Sequence, residues 1–281
     1  MEEEQFSLIT NDGLELNATM WSCPSPVAVI CIIHGLGEHS GRYSHVAEFF
    51  TQNNVSVFAF DLRGHGKSEG PKGHTPSHSH LLDDTEEILK AARAEYNDLP
   101  MFLYGHSFGG NIVANYILKR NTNEIAGAIL SSSWLIAQIQ PTKFEFKLAH
   151  LVNRILPTFT QGSRFSSNML TKDSECNEAY ENDPLVHRKM SVRLGLESFD
   201  AGLWAIDHAS RLKIPTLVWH GSEDDITSPE GSKQFAKNAG ELASFKLWEG
   251  TKHEPHNDLE KQEVLDYFYQ WISNLVPYVK Q

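Results

Sequence analysis

A chain of 281 residues, 40% hydrophobic and 21% charged, is long enough for one large α/β domain or two small ones, with a sizeable core. Its 36 acidic and 24 basic residues leave a formal net charge of -12, which argues against nucleic-acid binding and against electrostatic docking to an anionic membrane. Cys23, Cys31 and Cys176 form no C-x-x-C pair, the start Met1-Glu2-Glu3-Glu4 lacks an apolar signal segment, and no long uncharged apolar run occurs. The expectation is a reducing, cytoplasmic location without a signal peptide or a membrane span.

In chain order, residues 5–21 alternate, with Phe6, Leu8, Leu14, Leu16, Ala18 and Met20 on one parity about Asn11-Asp12-Gly13. That predicts an antiparallel hairpin. The unbroken apolar run Val27 to Ile33 predicts a strand buried on both faces. Ser40 is placed to cap a helix from Arg42 to about Asn53, and Val55 to Phe60 predicts another buried strand. Helical spacing covers Leu81 to Tyr96. A strand at 101–104 runs into Gly105-His106-Ser107-Phe108-Gly109-Gly110, followed by a helix from Asn111 to Arg120 and a strand from Ile125 to Leu130. Later come a strand from Ile214 to His220, a helix capped by Ser228 to about Ala239, a strand from Ser244 to Trp248 and a helix from Asp258 to Leu275. Strands alternating with helices imply a mostly parallel sheet covered on both faces.

Residues 134–209 break that rhythm. They show no clear buried strand, and Phe144, Leu148, Leu151, Val152 and Ile155 recur on one helical face before Pro157. Inserted between two sheet strands, the stretch reads as a helical cap over the sheet's carboxyl edge, where open α/β sheets bind ligands. The expected division is a core of 1–133 and 210–281 with a cap of 134–209.

Strand, tight turn and helix is the setting in which Gly105-His106-Ser107-Phe108-Gly109 works as a nucleophile elbow. The flanking glycines must lack a Cβ so that strand and helix can approach. A serine hydroxyl is a poor nucleophile at neutral pH and needs a base that is itself oriented by a carboxylate. On such a sheet these follow in the order serine, acid, histidine. The acid candidates are Glu223, Asp224 and Asp225, after the strand ending at His220. The base candidates are His253 and His256, after the strand ending at Trp248. The oxyanion of ester hydrolysis requires two backbone N–H donors, for which Phe108 and, in the glycine-rich run His34-Gly35-Leu36-Gly37, Leu36 are placed. His65, His74, His78 and His80 lack a cysteine or carboxylate set and read as solvated loop residues, so no metal and no cofactor are expected. His34 and His39 read as backbone-orienting groups, and Trp204, Trp219 and Trp248 as core residues.

The run His34-Gly35-Leu36-Gly37-Glu38-His39-Ser40-Gly41-Arg42-Tyr43 resembles the signature loop of the monoglyceride lipase and lysophospholipase branch of the α/β-hydrolase superfamily, which includes S33-type serine aminopeptidase-like hydrolases. Asp61-Leu62-Arg63-Gly64-His65-Gly66-Lys67-Ser68 and the cap motif Asp183-Pro184-Leu185 resemble further loops of that branch. The resemblance runs from about Gly13 to Trp271. It implies an α/β-hydrolase fold: a mostly parallel sheet with an N-terminal hairpin and an inserted cap. It implies a cofactor-free serine hydrolase of monoacylglycerol-like esters, with Ser107, Asp224 and His253 catalytic. The Gly-Ser-x-Asp pattern selects Asp224 over Asp225, and Gly-x-x-His selects His253 over His256. Phe108 stands where the family usually carries Met, which alters pocket shape but not the backbone donor.

The apolar cap is expected to supply an acyl channel, with Phe144, Leu148 and Leu151 as candidate substrate contacts, and to touch membranes transiently. A small lipid ester is the expected partner, without nucleic acid or an obligate protein partner. Rival readings are a lysophospholipase, a short-chain carboxylesterase, an acyltransferase using the same residues, and a non-catalytic ligand receptor on this fold.

Overall fold

In a computed structural model that describes residues 1–162 and 166–276, one sheet of eight strands organises the molecule. Three residues of the expected cap, 163–165, and the last five of the expected core, 277–281, lie outside the described residues. The strands are β1 (Glu2–Ile9), β2 (Glu15–Ser22), β3 (Ala28–Ile33), β4 (Val55–Phe60), β5 (Met101–His106) and β6 (Ile125–Ser131). Two short strands, β7 (Thr160–Gly162) and β8 (Lys189–Ser191), pair separately, and β9 (Thr216–Gly221) and β10 (Ala243–Trp248) complete the main sheet. Its order is β1-β2-β4-β3-β5-β6-β9-β10. The hairpin β1–β2 and its junction with β4 are antiparallel, and every later pairing is parallel.

Strand alternation divides the core in two. On β3, Val29, Cys31 and Ile33 point into one apolar cluster while Ala28, Ile30 and Ile32 point into the other. The first cluster is closed by α2 (His78–Glu95), α3 (Phe108–Lys119), α6 (Val192–His208) and α7 (Pro229–Ala239). The second is closed by α1 (Ser44–Gln52) and α8 (Lys261–Leu275). Both faces of the central strands are dry, which explains their unbroken apolar runs.

The insertion between β6 and β9 carries α4 (Lys143–Ile155), α5 (Ser174–Asn182) and α6. Helix α6 packs against α3 of the core and against α4. A capping box closes the start of α4: Thr142 Oγ1 accepts from the Glu145 N–H, and the Glu145 carboxylate accepts from the Thr142 N–H at 2.8 Å. Among the described residues no helix is long and apolar enough to cross a membrane.

Several local expectations are corrected. The segment from Ser40 begins as a 3-10 turn, Ser40–Tyr43, and His39 caps it by accepting from the Gly41 N–H. The Ser40 hydroxyl is drawn instead to Asp61 Oδ1 at 2.6 Å. Ser228 occupies the cap position of α7 without a side-chain cap bond, and Pro229 supplies the first-turn constraint. Trp219 is fully buried, but Trp204 and Trp248 are only half-buried, under Lys119 and Lys246 respectively.

Candidate active site

Strand β5 ends at His106, and α3 starts at Phe108, so a single residue turns the chain. That residue, Ser107, has φ 53° and ψ -113°, a conformation disfavoured for a side chain with a Cβ. The glycines make the turn fit. A Cβ on Gly109 would lie 2.1 Å from the Ile33 carbonyl oxygen, and one on Gly105 would lie 2.4 Å from the Gly109 oxygen. The tight crossing of β3, β5 and α3 thus excludes any larger residue and pushes the Ser107 side chain to the cavity wall.

His253, on the loop after β10, presents Nε2 2.9 Å from Ser107 Oγ. Its Nδ1 lies 2.7 Å from Asp224 Oδ2, on the turn after β9. Asp224 Oδ1 accepts from the N–H groups of Ile226 and Thr227, and Oδ2 also faces Thr227 Oγ1 at 2.8 Å and His220 Nε2 at 3.0 Å. Burial alone would raise the Asp224 pKa. The His253 charge and the hydrogen bonds from His220 and His253 overcome it and hold the carboxyl well below the usual carboxylate range. Burial alone would lower the His253 pKa. The Asp224 carboxylate outweighs it, with smaller help from Glu254 and Glu38, so the pKa lies above an ordinary histidine's.

The rival candidates sit elsewhere. Glu223 is exposed and paired with Lys172 at 2.9 Å, and Asp225 is exposed. His256 is buried, stacked on Tyr43, with Nδ1 3.3 Å from the Tyr104 hydroxyl. Burial and the neighbouring His106 hold its pKa well below the histidine range, so it stays neutral.

Leu36 lines the cavity in the loop after β3, and Phe108 opens α3. Among the described residues neither backbone N–H donates to another group of the chain. The loop is held from several sides. His34 Nε2 accepts from the Leu62 N–H at 2.9 Å, Glu38 accepts from the Gly35 N–H, and the Gly37 carbonyl accepts from the His187 N–H of the cap at 2.8 Å. His39 Nε2 lies 2.8 Å from Asp183 Oδ2, which ties the cap motif to the same loop.

Ser107 opens into a cavity of about 630 Å³. Beside Ser107 its wall is polar. Arg42 bridges Glu254, at 2.9 and 2.8 Å, and Glu38, while the Tyr43 hydroxyl donates to Glu38 at 2.8 Å and Tyr180 lies under the guanidinium. Burial would raise the Glu254 pKa, but Arg42 holds it well below the carboxylate range. The lining also includes a set of apolar side chains, among them Phe146, Val152, Phe159, Leu196 and Phe199. Of the three cap residues expected to touch substrate, Leu148 lines this cavity. Phe144 and Leu151 face outward, 75% and 55% exposed.

The loop histidines are not uniformly solvated. His65 is buried against His34 and His187, and His78 bonds Asn111 Oδ1 at 2.9 Å. His74 and His80 are half-buried, on Ser191 and Ser77. Among the described residues no group of three or more His, Cys, Asp or Glu side chains could hold a metal ion. Inspection of the sequence missed His220, Thr227 and the Arg42–Glu254 pair. Arg42 and Glu38 stood inside the quoted loop, but Glu254, Thr227 and His220 reach their partners only through the fold.

Residues 24–260 match the family described as serine aminopeptidase, S33. An abhydrolase domain-containing protein of Dictyostelium discoideum is 35% identical over the whole chain, which spans only 30% of that relative. A phospholipase of Bacillus subtilis is 33% identical over 87% of the chain and 94% of its own length. A crystal structure of a Paleococcus ferrophilus monoacylglycerol lipase superposes with a TM-score of 0.83 at 32% identity, covering 93% of this chain and 99% of that one.

Proposed function

Because the chain belongs to the serine aminopeptidase S33 family of the α/β-hydrolase superfamily, we propose that it is a serine carboxylic ester hydrolase of monoacylglycerol-like lipids. The observation that carries this reading is the hydrogen-bonded series Ser107–His253–Asp224 opening into a cavity lined by both polar and apolar side chains.

Ser107 Oγ attacks the acyl carbonyl while His253 Nε2 takes its proton. The charge that develops on the carbonyl oxygen is met by the Leu36 and Phe108 N–H groups, the latter at a helix N-terminus. His253 then protonates the leaving alcohol, and the acyl group remains on Ser107. Water, deprotonated by His253, attacks that ester and releases the fatty acid. Asp224 holds the Nδ1–H tautomer and stabilises the imidazolium in both halves of the cycle.

The acyl chain packs on the apolar side chains, under the cap of residues 134–209, and the hydroxylated leaving group meets the polar ones. Glu38 and Glu254 share one guanidinium there, so the wall beside Ser107 keeps a net negative charge. A glycerol head group would find hydrogen-bond acceptors in these carboxylates, which supports monoacylglycerol as the substrate. The phospholipase relative keeps the second reading in the test.

The outward face of α4, with Phe144, Leu151 and Ile155, supports transient contact with a lipid surface. A cytoplasmic location is supported by the three free thiols, Cys23, Cys31 and Cys176.

A fluorophosphonate should label Ser107, and Ser107→Ala should lose at least ~10³-fold in ester turnover. A panel of glycerol and phosphocholine esters of varied chain length should favour glycerol esters. A label on another residue, or an active alanine variant, refutes the assignment. Ligand binding without turnover by the unmodified protein would point to the receptor reading.

A further inference from the structure

The polar series does not stop at Asp224. His220, the penultimate residue of β9, is fully buried, four residues before Asp224. Its Nε2 faces Asp224 Oδ2 at 3.0 Å and the Thr227 carbonyl and hydroxyl, each at 3.2 Å; the carboxylate and the carbonyl can only accept, so Nε2 carries the proton. Its Nδ1 then accepts from the Ser232 hydroxyl of α7, 2.8 Å away. Two imidazoles therefore converge on one carboxylate oxygen, His253 from one side and His220 from the other.

We propose that His220 is a positioning residue for the proton relay: its Nε2–H, locked by Ser232, orients the Asp224 carboxylate and withdraws part of its charge from His253. The inference rests on the hydrolase reading and adds a residue that touches neither substrate nor Ser107. Asp224 without this donor would turn more of its charge toward His253 and bind the imidazolium more tightly. The base would then remain protonated to higher pH. The groups that face this pair are His253 on the loop after β10, Thr227 in the turn after β9, the Ser132 carbonyl beyond β6, through Thr227 Oγ1, and Ser232 on α7. His253 in turn feels Glu254, Glu38 and the ring of His106.

The test is the pH dependence of kcat/KM for a short dissolved p-nitrophenyl ester, with active sites counted by phosphonate titration. His220→Leu should move the acid limb up by about 0.5–1 pH unit and lower kcat about 10-fold, with KM within about two-fold. His220→Gln, whose amide nitrogen falls near the imidazole Nε2, should return the limb to within about 0.2 unit of the parent. Ser232→Ala frees the tautomer and should give a smaller shift of the same sign; it is the fallback if the leucine variant does not fold. A limb that stays in place in all three variants, or a folded glutamine variant no better than leucine, overturns the proposal. A parent protein inert to both label and ester would instead overturn the hydrolase reading.

Discussion

At Asp224 and His253 the two pKa shifts have opposite signs and different consequences. The His253 pKa is raised, so the imidazole needed as a base is withdrawn by protonation at a pH above the ordinary histidine value of about 6.5. Activity should fall on the acid side from that point. Asp224→Asn should move the limb to lower pH and cost roughly 10⁴-fold in kcat by presenting the wrong tautomer. Arg42 poses a different case, because it bridges two buried carboxylates. Arg42→Met should destabilise by about 3–5 kcal/mol, read by denaturant titration, because Glu38 and Glu254 are left uncompensated. The serine and the order of its partners were legible from strand ends and glycine spacing. Strand ends alone left Asp224 and Asp225, and His253 and His256, open, and the family patterns Gly-Ser-x-Asp and Gly-x-x-His made the choice. Burial separates the same pairs, since Asp225 stays in solvent and His256 turns under Tyr43, environments that strand ends do not encode.

At the scale of elements, the nucleophile turn depends on clearance more than on propensity. Gly109→Ala should drive a methyl into the Ile33 carbonyl, lower stability by about 1–3 kcal/mol and displace Ser107 enough to cost most of the turnover. Both losses are measurable on one preparation, by calorimetry and by ester hydrolysis. Helix α4 was legible as a helix but not in its orientation. Phe146, Ala149 and Val152 line the cavity, while Phe144, Leu151 and Ile155 face solvent, so apolar residues occupy both sides. Periodicity selects a face only when the opposite one is polar. If the outer face meets lipid, Phe144→Ser with Leu151→Ser should lower turnover of vesicle-borne monoacylglycerol several-fold and leave a dissolved ester unaffected.

For the whole molecule, the alternating strands and helices made the sheet legible, as did the apolar runs of its central strands. The pairing of β7 with β8 was not, since three exposed residues carry no pattern. The many buried histidines set the response to acid. His65 and His256 are held well below the usual range by burial, His106 is lowered to about 3 and His78 to about 4. Each stays neutral in the folded chain but takes up a proton once unfolded below about pH 6.5, so stability falls as pH falls. By pH 5 the loss is roughly 1–2 kcal/mol per histidine, and the melting temperature should drop by more than about 5 °C from its value at pH 7. His253 works in the other direction, its contribution being complete below about pH 6.5 and lost as pH rises through its folded value, but it is one group against these four and the likewise lowered His34, His45, His74 and His187.

Strands β6 and β9 are direct neighbours, with Ala128 paired to Thr216 and Ser131 to Trp219, although residues 132–215 intervene. Because the two strands are parallel, the long excursion leaves at the carboxyl end of β6 and crosses back to the amino end of β9 before pairing resumes. A single continuous stretch of the chain carries the apolar lining that α4 and α6 supply to the chamber, while Ser107, Asp224 and His253 lie in the flanking stretches. Transplanting such a roof from a distant cousin should alter what the chamber admits while leaving the pairings of the eight-stranded sheet in register.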